Sequence, residues 1–495
     1  MRVILAGFNV DTEILRSLSK KQKDIVLTPE TISAAYARIS RSPKSVEELR
    51  KEAREEVTKA RKSNRRIIFE MGHHSVAEHA VFNFDIMGIS RLAVEEVEHF
   101  RLCSYTEKSQ RYVTLKGDFV IPDELKRTTL LDAYLKTIKL QNNFYKFLFE
   151  KLKMFNFKKF YDFAKESDYR RLLENQAKED ARYILSLATQ TQLGATINAR
   201  NLELIIRRFA SHHLLEINEL GRKLFGLVKR IAPSIILFYR TNDYDKKTYC
   251  ELGGYTKSYE IMKLGNYEDN DVVLLNYSKN GDDMILAAIL FRIKRYNYNQ
   301  CLHIVKKMSK IEKLELFKKA CQHMELYDVA LREFESINLT YSLVVSAGCF
   351  GQLKRHRIAT ITSQNYNPEL AFTMPLSIEE IGESKKFAAI VKKSEDIYHK
   401  IEKRLPQIGA YILTNAHRKR VLLNVNLREL YHISRLREDP TAQWDIRNIT
   451  KKMSQEARDV MPITTSLLGG KSDYPKIYYK LFRRHPKITE VPKIQ

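Results

Sequence analysis

The sequence predicts an α+β chain made of two homologous copies, and three observations carry that reading. Val81-Phe82-Asn83-Phe84-Asp85-Ile86 alternates apolar and polar residues as a half-buried strand does, and Leu339-Thr340-Tyr341-Ser342-Leu343 repeats the alternation in the second half. Each strand leads into a helical stretch and then a polar loop. In the first half this is Ser90 to Cys103, with Leu92, Ala93, Val97 and Phe100 at helical spacing; in the second, Gly351-Gln352-Leu353-Lys354 runs into Arg355-His356-Arg357. Both halves then carry a long helical tract and, after an interval, an Asn-x-Arg helix start: Asn198-Ala199-Arg200 and Asn426-Leu427-Arg428.

The remaining elements follow from local signals. Ser45-Val46-Glu47-Glu48 reads as a capping box that opens an amphipathic helix to about Lys62. A Lys-rich helical segment around Leu131 to Lys165 makes the first copy longer than the second between the shared landmarks. The Tyr/Lys/Gly-containing stretch from Asp243 to Tyr259 reads as the join. The expected division is a first copy over 1–240, a linker over 241–262, a second copy over 263–470 and a basic tail over 471–495. That tail carries Tyr478, Tyr479 and Arg483-Arg484.

Composition bounds the function. A chain of 495 residues has material for two or three domains, and 44% hydrophobic with 10% aromatic content excludes a mostly disordered one. With 85 Lys+Arg against 60 Asp+Glu, the net charge of +25 favours anionic partners such as nucleotides, phosphorylated cofactors or nucleic acid. Cys103, Cys250, Cys301, Cys321 and Cys349 are widely spaced and form no CxxC, which points away from a disulfide framework or zinc ribbon and towards a reducing cytoplasm. No apolar stretch has the length to cross a bilayer, and Met1–Gly7 is too short for a secretory signal.

Two motifs are set aside. Gly469-Gly470-Lys471-Ser472 ends like a phosphate loop, but Thr465 stands where the earlier glycine belongs. Gly72-His73-His74-Ser75 with His79 has no carboxylate or cysteine at a diagnostic metal spacing, so no metal site is expected. The informative run is Ser104-Tyr105-Thr106-Glu107-Lys108-Ser109-Gln110-Arg111-Tyr112, after His99-Phe100-Arg101. It gathers a carboxylate, hydroxyls and a guanidinium that suit a phosphate and a sugar or base edge. The same residues would also make a solvated helix-end loop with a surface ion pair.

Order and spacing add a resemblance. The run is similar to the signature of flavin-dependent thymidylate synthases, Arg-His-Arg-x-x-Ser-x-Asn-Glu-x-Ser-x-Arg, preceded in that family by Gly-His-x-Ser/Thr-x-x-Glu-His. Matching positions are Arg101, Ser104, Glu107, Ser109 and Arg111, with Gly72-His73-His74-Ser75, Glu78-His79 and Ala37-Arg38-Ile39-Ser40 upstream. The resemblance covers most of residues 30–225 and, more weakly, the second half. It implies that each copy is an antiparallel sheet packed with long helices.

The departures divide the motif between the copies. In the first, the leading Arg-His has become His99-Phe100; in the second, Arg355-His356-Arg357 is intact behind Gln352, but Thr360, Thr362, Ser363, Asn365 and Asn367 replace the nucleotide loop. Arg182 matches a nucleotide-contacting arginine of the family, whereas the second copy has Ala410 there. Beyond Asn426 and Arg428, the second copy matches with His432 and Arg437, for which Arg208 is an approximate counterpart.

The resemblance implies reductive methylation of dUMP to dTMP, with FAD as cofactor and NADPH and methylenetetrahydrofolate as co-substrates. Substrate contacts would come from Glu107, Ser109, Arg111, Arg182, Gln352, Arg355 and Arg437. Cofactor contacts would come from Ser40, His73, Ser75, Glu107, Arg355, His356, Arg357, Asn426, Arg428 and His432. Arg437 and Arg111 would carry the chemistry, one composite site would form per pairing of copies, and a homodimer would rebuild a tetramer-like core. The competing readings are a flavin-dependent enzyme acting on uridine in RNA and a non-catalytic nucleic-acid-binding relative.

Overall fold

The computed structural model describes residues 1–19, 26–256 and 270–488. It divides into two compact units, Met1–Gly265 with Ser377–Leu413, and Asn266–Leu376 with Thr414–Gln495.

The first unit holds β1 (Arg2–Phe8), β2 (Val81–Ser90), β3 (Cys103–Glu107) and β4 (Gln190–Asn198), in the antiparallel order β1-β2-β4-β3. The second holds β5 (Val272–Tyr277), β6 (Asn338–Ser346), β7 (Thr360–Ser363) and β8 (Arg418–Asn426), in the order β5-β6-β8-β7. The two sheets are the same sheet twice. Alternation explains the inner face of each: Phe82, Phe84 and Ile86 are buried in one, Leu339, Tyr341 and Leu343 in the other.

Side-chain detail repeats as well. Asn83 donates to Thr196 Oγ1 at 2.8 Å across β2 and β4, and at the corresponding place Asn424 donates to Thr340 Oγ1 at 2.8 Å, with the partners exchanged between strands. Asn198 caps the Ala199–Phe209 helix by accepting from Asn201 N, and Asn426 caps the Leu427–Arg437 helix by accepting from Glu429 N. Arg200 pairs with Glu78 at 2.6 Å, and Arg428 with Glu335 at 2.6 Å. The one local difference in the central strand is a bulge at Gly88, whose φ of +70° suits glycine and makes β2 ten residues long against nine in β6.

Compact units and sequence order do not run together. The long helix Ser384–Arg404 lies between β7 and β8 in the chain, as Leu131–Lys159 lies between β3 and β4, yet both belong to the first unit. Ile397, Ile401, Tyr411 and Ile412 are buried in that unit's core. Gln141 Nε2 donates to Ser394 Oγ at 2.8 Å and to Ile412 O at 2.9 Å, and Leu187 N donates to Leu413 O at 2.8 Å. An amphipathic helix specifies that one face must be covered, not which core covers it. Hence Ser377–Leu413 leaves the contiguous stretch 263–470 that the repeat suggests.

Three local expectations change. The capping box at Ser45 and Glu48 forms, but the helix breaks at Glu56 (φ −123°, ψ 62°) into Val46–Glu55 and Val57–Arg65. The expected polar loop after each first helix opens as an edge strand, because β3 and β7 pair with β4 and β8. The join contains a helix, Asp243–Thr256, and the expected basic tail contains another, Tyr474–Phe482, whose Tyr474 and Tyr478 are buried in the second unit's core. Residues 257–262 of the expected linker and 489–495 of the tail lie outside the described residues. Among the described residues, no helix is long and apolar enough to cross a membrane.

Candidate functional site

In the first unit, Ser90 caps the Arg91–Glu98 helix, and β3 carries Glu107 beside its start. Arg91 and Glu107 form an ion pair with both side chains nearly buried. Past the strand, Ser109 Oγ accepts from Arg111 N at 3.1 Å, which turns the loop. The Arg111 guanidinium pairs with Glu179, and Arg182 Nε donates to Glu179 O at 3.3 Å. Burial lowers the pKa of Arg182 from the usual guanidinium range. Glu107, Ser109, Arg111 and Arg182 thus stand in one charged neighbourhood of alternating sign. Such a place can hold a phosphate once the anion competes with Glu179 for Arg111.

The upstream residues form a different, exposed place in the same unit. Ser40 sits in the short turn Ile39–Arg41, and Arg41 Nη2 lies 3.3 Å from His73 Nε2, with Ser75 exposed nearby in sequence. The other two histidines pack as rings, His79 on Tyr36 at 4.8 Å and His74 on Phe69 at 6.0 Å.

In the second unit, the Ala347–Leu353 helix ends at the Arg355-His356-Arg357 turn, and the Leu427–Arg437 helix brings its last residue to it. Arg437 Nε donates to His356 Nε2 at 2.9 Å, while its Nη1 and Nη2 make long contacts of 3.3 and 3.4 Å to Gln352 Oε1 and O. Burial, then the charge of Arg437 and the neighbouring His432, holds the His356 pKa well below the ordinary imidazole value, so the ring is neutral. Since Nε2 accepts, the ring proton resides on Nδ1. His432 is exposed, its ring centroid 5.7 Å from that of His356. Asn426 and Arg428 have structural partners, the first as a helix cap and the second with Glu335 and Ala330 O.

The first copy has lost this arrangement. Counting forward from the shared Ser caps and Asn caps, Phe100 stands where the second copy has His356, and Phe209 where it has Arg437. Their rings meet edge-on at 5.9 Å in the core. Arg208, expected as the approximate counterpart of Arg437, is therefore one place out. The set-aside Gly469–Ser472 segment is structural: Ser472 N and Oγ donate to Asp439 Oδ2, and a Cβ on Gly470 would lie 2.7 Å from Asp439 N.

A family model described as thymidylate synthase complementing protein matches residues 24–234 and again 273–463. The chain belongs to that family. A UPF0159 protein of Thermoplasma acidophilum is 24% identical over 471 residues, which is 83% of this chain and 89% of the relative. A flavin-dependent thymidylate synthase of Clostridium tetani is 30% identical over 42% of this chain and 82% of its own length. A crystal structure of the flavin dependent thymidylate synthase of Helicobacter pylori, complexed with FAD and dUMP, is similar at 20% identity and a TM-score of 0.29. It covers 48% of this chain and 100% of that one.

As a two-copy member of the family, the chain also shows residues that sequence reasoning missed. Arg91 and Glu179 are joined to Glu107 and Arg111 only by the fold. Signals for them existed: an arginine directly after the Ser90 cap, and an acidic residue one helical turn before Arg182. Glu429 carried none, since a glutamate at the third helical position reads as a capping residue.

Proposed function

We propose that this chain is a flavin-dependent thymidylate synthase that converts dUMP to dTMP, with methylenetetrahydrofolate as carbon donor and FAD, reduced by NADPH, as redox cofactor. The observation that carries the reading is the Arg437–His356 hydrogen bond beside an intact Arg355-His356-Arg357 turn.

Arg437 serves the pyrimidine. Uracil C5 is a weak nucleophile, and a guanidinium placed along the N3–C4 edge stabilises the enolate-like charge that must develop when C5 attacks carbon. His356 meets that guanidinium at Nε, and Nη1 and Nη2 make long contacts to Gln352. No protein thiolate is required; Cys103 is buried in the hydrophobic core. Arg111, with Arg182, takes the phosphate, and Ser109 and Glu107 take phosphate or sugar hydroxyls.

The residues present fit a flavin dinucleotide. Gln352 Nε2 is buried with no hydrogen-bond partner among the described residues, and Arg355 and Arg357 are half-buried on either side of His356. Arg355, Arg357 and His432 would hold it, with Arg428 and Asn426 setting the helix beside it and Ser40, His73 and Ser75 contributing from a first copy. When bound and reduced, it supplies the hydride that turns the transferred carbon into a methyl group. The phosphate residues come from the first copy, and the pyrimidine arginine and most of the flavin residues from the second, so each working site would draw on both, and a homodimer gives the tetramer-like set.

The test is purification of the whole chain, a flavin spectrum, and turnover with dUMP, methylenetetrahydrofolate and NADPH. Flavin reoxidation coupled to dTMP is expected. A colourless protein, or one that modifies uridine in RNA and leaves dUMP untouched, overturns the proposal.

A further inference from the structure

Glu429 is a buried carboxylate that the site described so far does not use. It is the third residue of a helix capped by Asn426, and its backbone N–H donates to Asn426 Oδ1 at 2.8 Å. A glutamate in that position ordinarily turns back to the N–H of its cap. Glu48 does so to Ser45 N at 2.8 Å, and Glu312 to Ser309 N at 2.7 Å. Glu429 forgoes that return and turns inward, where it is 7% exposed and its Oε1 lies 3.6 Å from His356 Nδ1.

The approach is meaningful because of what Nδ1 lacks. His356 Nδ1 is buried without a hydrogen-bond partner, and it is the nitrogen that carries the proton, since Nε2 accepts from Arg437. At 3.6 Å the contact is an ion-pair approach, longer than a hydrogen bond. A carboxylate facing Nδ1–H makes Nε2 a stronger acceptor, so the Glu429–His356–Arg437 series strengthens along its length. Burial raises the Glu429 pKa above the ordinary carboxylate value, against the pull of His432 and Arg428. That cost calls for a benefit elsewhere.

The first copy is an internal control. Its counterparts are Asn201, Phe100 and Phe209, and Asn201 turns to its own cap, its Nδ2 3.0 Å from Asn198 Oδ1. The same strands and helices form there around two phenylalanines, so the fold does not need the polar series. Apolar packing at such a place is neutral or stabilising relative to buried charge.

We propose that Glu429 is a positioning residue, which through the His356 ring holds the Arg437 guanidinium with Nη1 and Nη2 turned to the substrate edge. The role of Arg437 in it rests on the function proposed above. The experiment uses the full chain with ¹⁵N-labelled histidine and arginine, comparing the parent with Glu429→Gln and Glu429→Leu. In the parent, His356 should be protonated on Nδ1 and the Arg437 Nε–H protected from exchange. In Glu429→Leu that protection and kcat should each fall about ten- to a hundredfold, with KM for dUMP and the thermal midpoint nearly unchanged. Glu429→Gln, whose amide oxygen still accepts, should retain most of both. Protonation of Nε2 in the parent, or equal Arg437 protection in all three proteins, overturns the assignment. If the parent makes no dTMP, the substrate reading fails by itself, while the nitrogen spectra still decide the positioning.

Discussion

Arg437 donates to His356 at 2.9 Å in the second copy, and the equivalent two places of the first copy hold Phe209 and Phe100 in an edge-on contact at 5.9 Å. One frame therefore carries a polar pair in one setting and an aromatic pair in the other. The aromatic pair is what a core selects when stability alone is at stake, because it buries area and leaves no polar atom to satisfy. The polar pair persists against that preference, which is the physical basis for the role proposed for Arg437.

Activity should follow this division. Arg437→Ala and Arg355→Ala are each expected to lower dTMP formation by about a hundredfold or more, the scale seen when a preorganised donor is removed. His99→Ala, at the exposed first-copy counterpart of Arg355, should leave turnover within about twofold of the parent, a surface change of the kind that usually costs little. Steady-state rates of the three variants check this, and comparable loss in His99→Ala contradicts it.

Stability should follow the opposite division. Phe100→Ala removes a ring from the first unit's core and should cost about 3–5 kcal/mol in denaturant unfolding. His356→Phe copies the first-copy residue into the second unit and should be nearly neutral in stability while abolishing turnover. A large loss of stability in His356→Phe would show that the polar pair supports the fold.

The two helix caps offer a matched comparison. Asn198→Ala and Asn426→Ala each remove one side-chain acceptor from a helix start, and each should cost about 0.5–2 kcal/mol. Only Asn426→Ala should also reduce the flavin absorbance per chain, if the helix it starts also serves the cofactor. Equal flavin content in both variants would leave Asn426 a cap alone.

Asp439 makes one segment acid-sensitive. Burial pushes its carboxyl up, but hydrogen bonds from Thr441 and Ser472, side chain and backbone, outweigh burial and bring its pKa to about 2. A depressed carboxylate pKa stabilises the fold fully above the unfolded value of about 3.9 and loses that contribution as pH falls towards 2. Thermal midpoints of the parent and Asp439→Asn should differ most above about pH 5 and converge near pH 2. A gap independent of pH would refute this.

Much was legible in the chain itself, because the signals concerned are local. Alternation marks β2 and β6, Asn198 and Asn426 announce helix starts, and the signature residues around Arg111 and Arg355 mark the family and the unequal inheritance of its motif. Tertiary structure alone decided which core takes the Ser384–Arg404 helix, that Phe100 and Phe209 meet edge-on in the first unit's core, and that Glu179, Arg91 and Glu429 face the motif residues. The reason is one of range. Periodicity and caps are read from neighbours a few residues apart, whereas the covering of a hydrophobic face and the meeting of two buried charges depend on segments far apart in the chain.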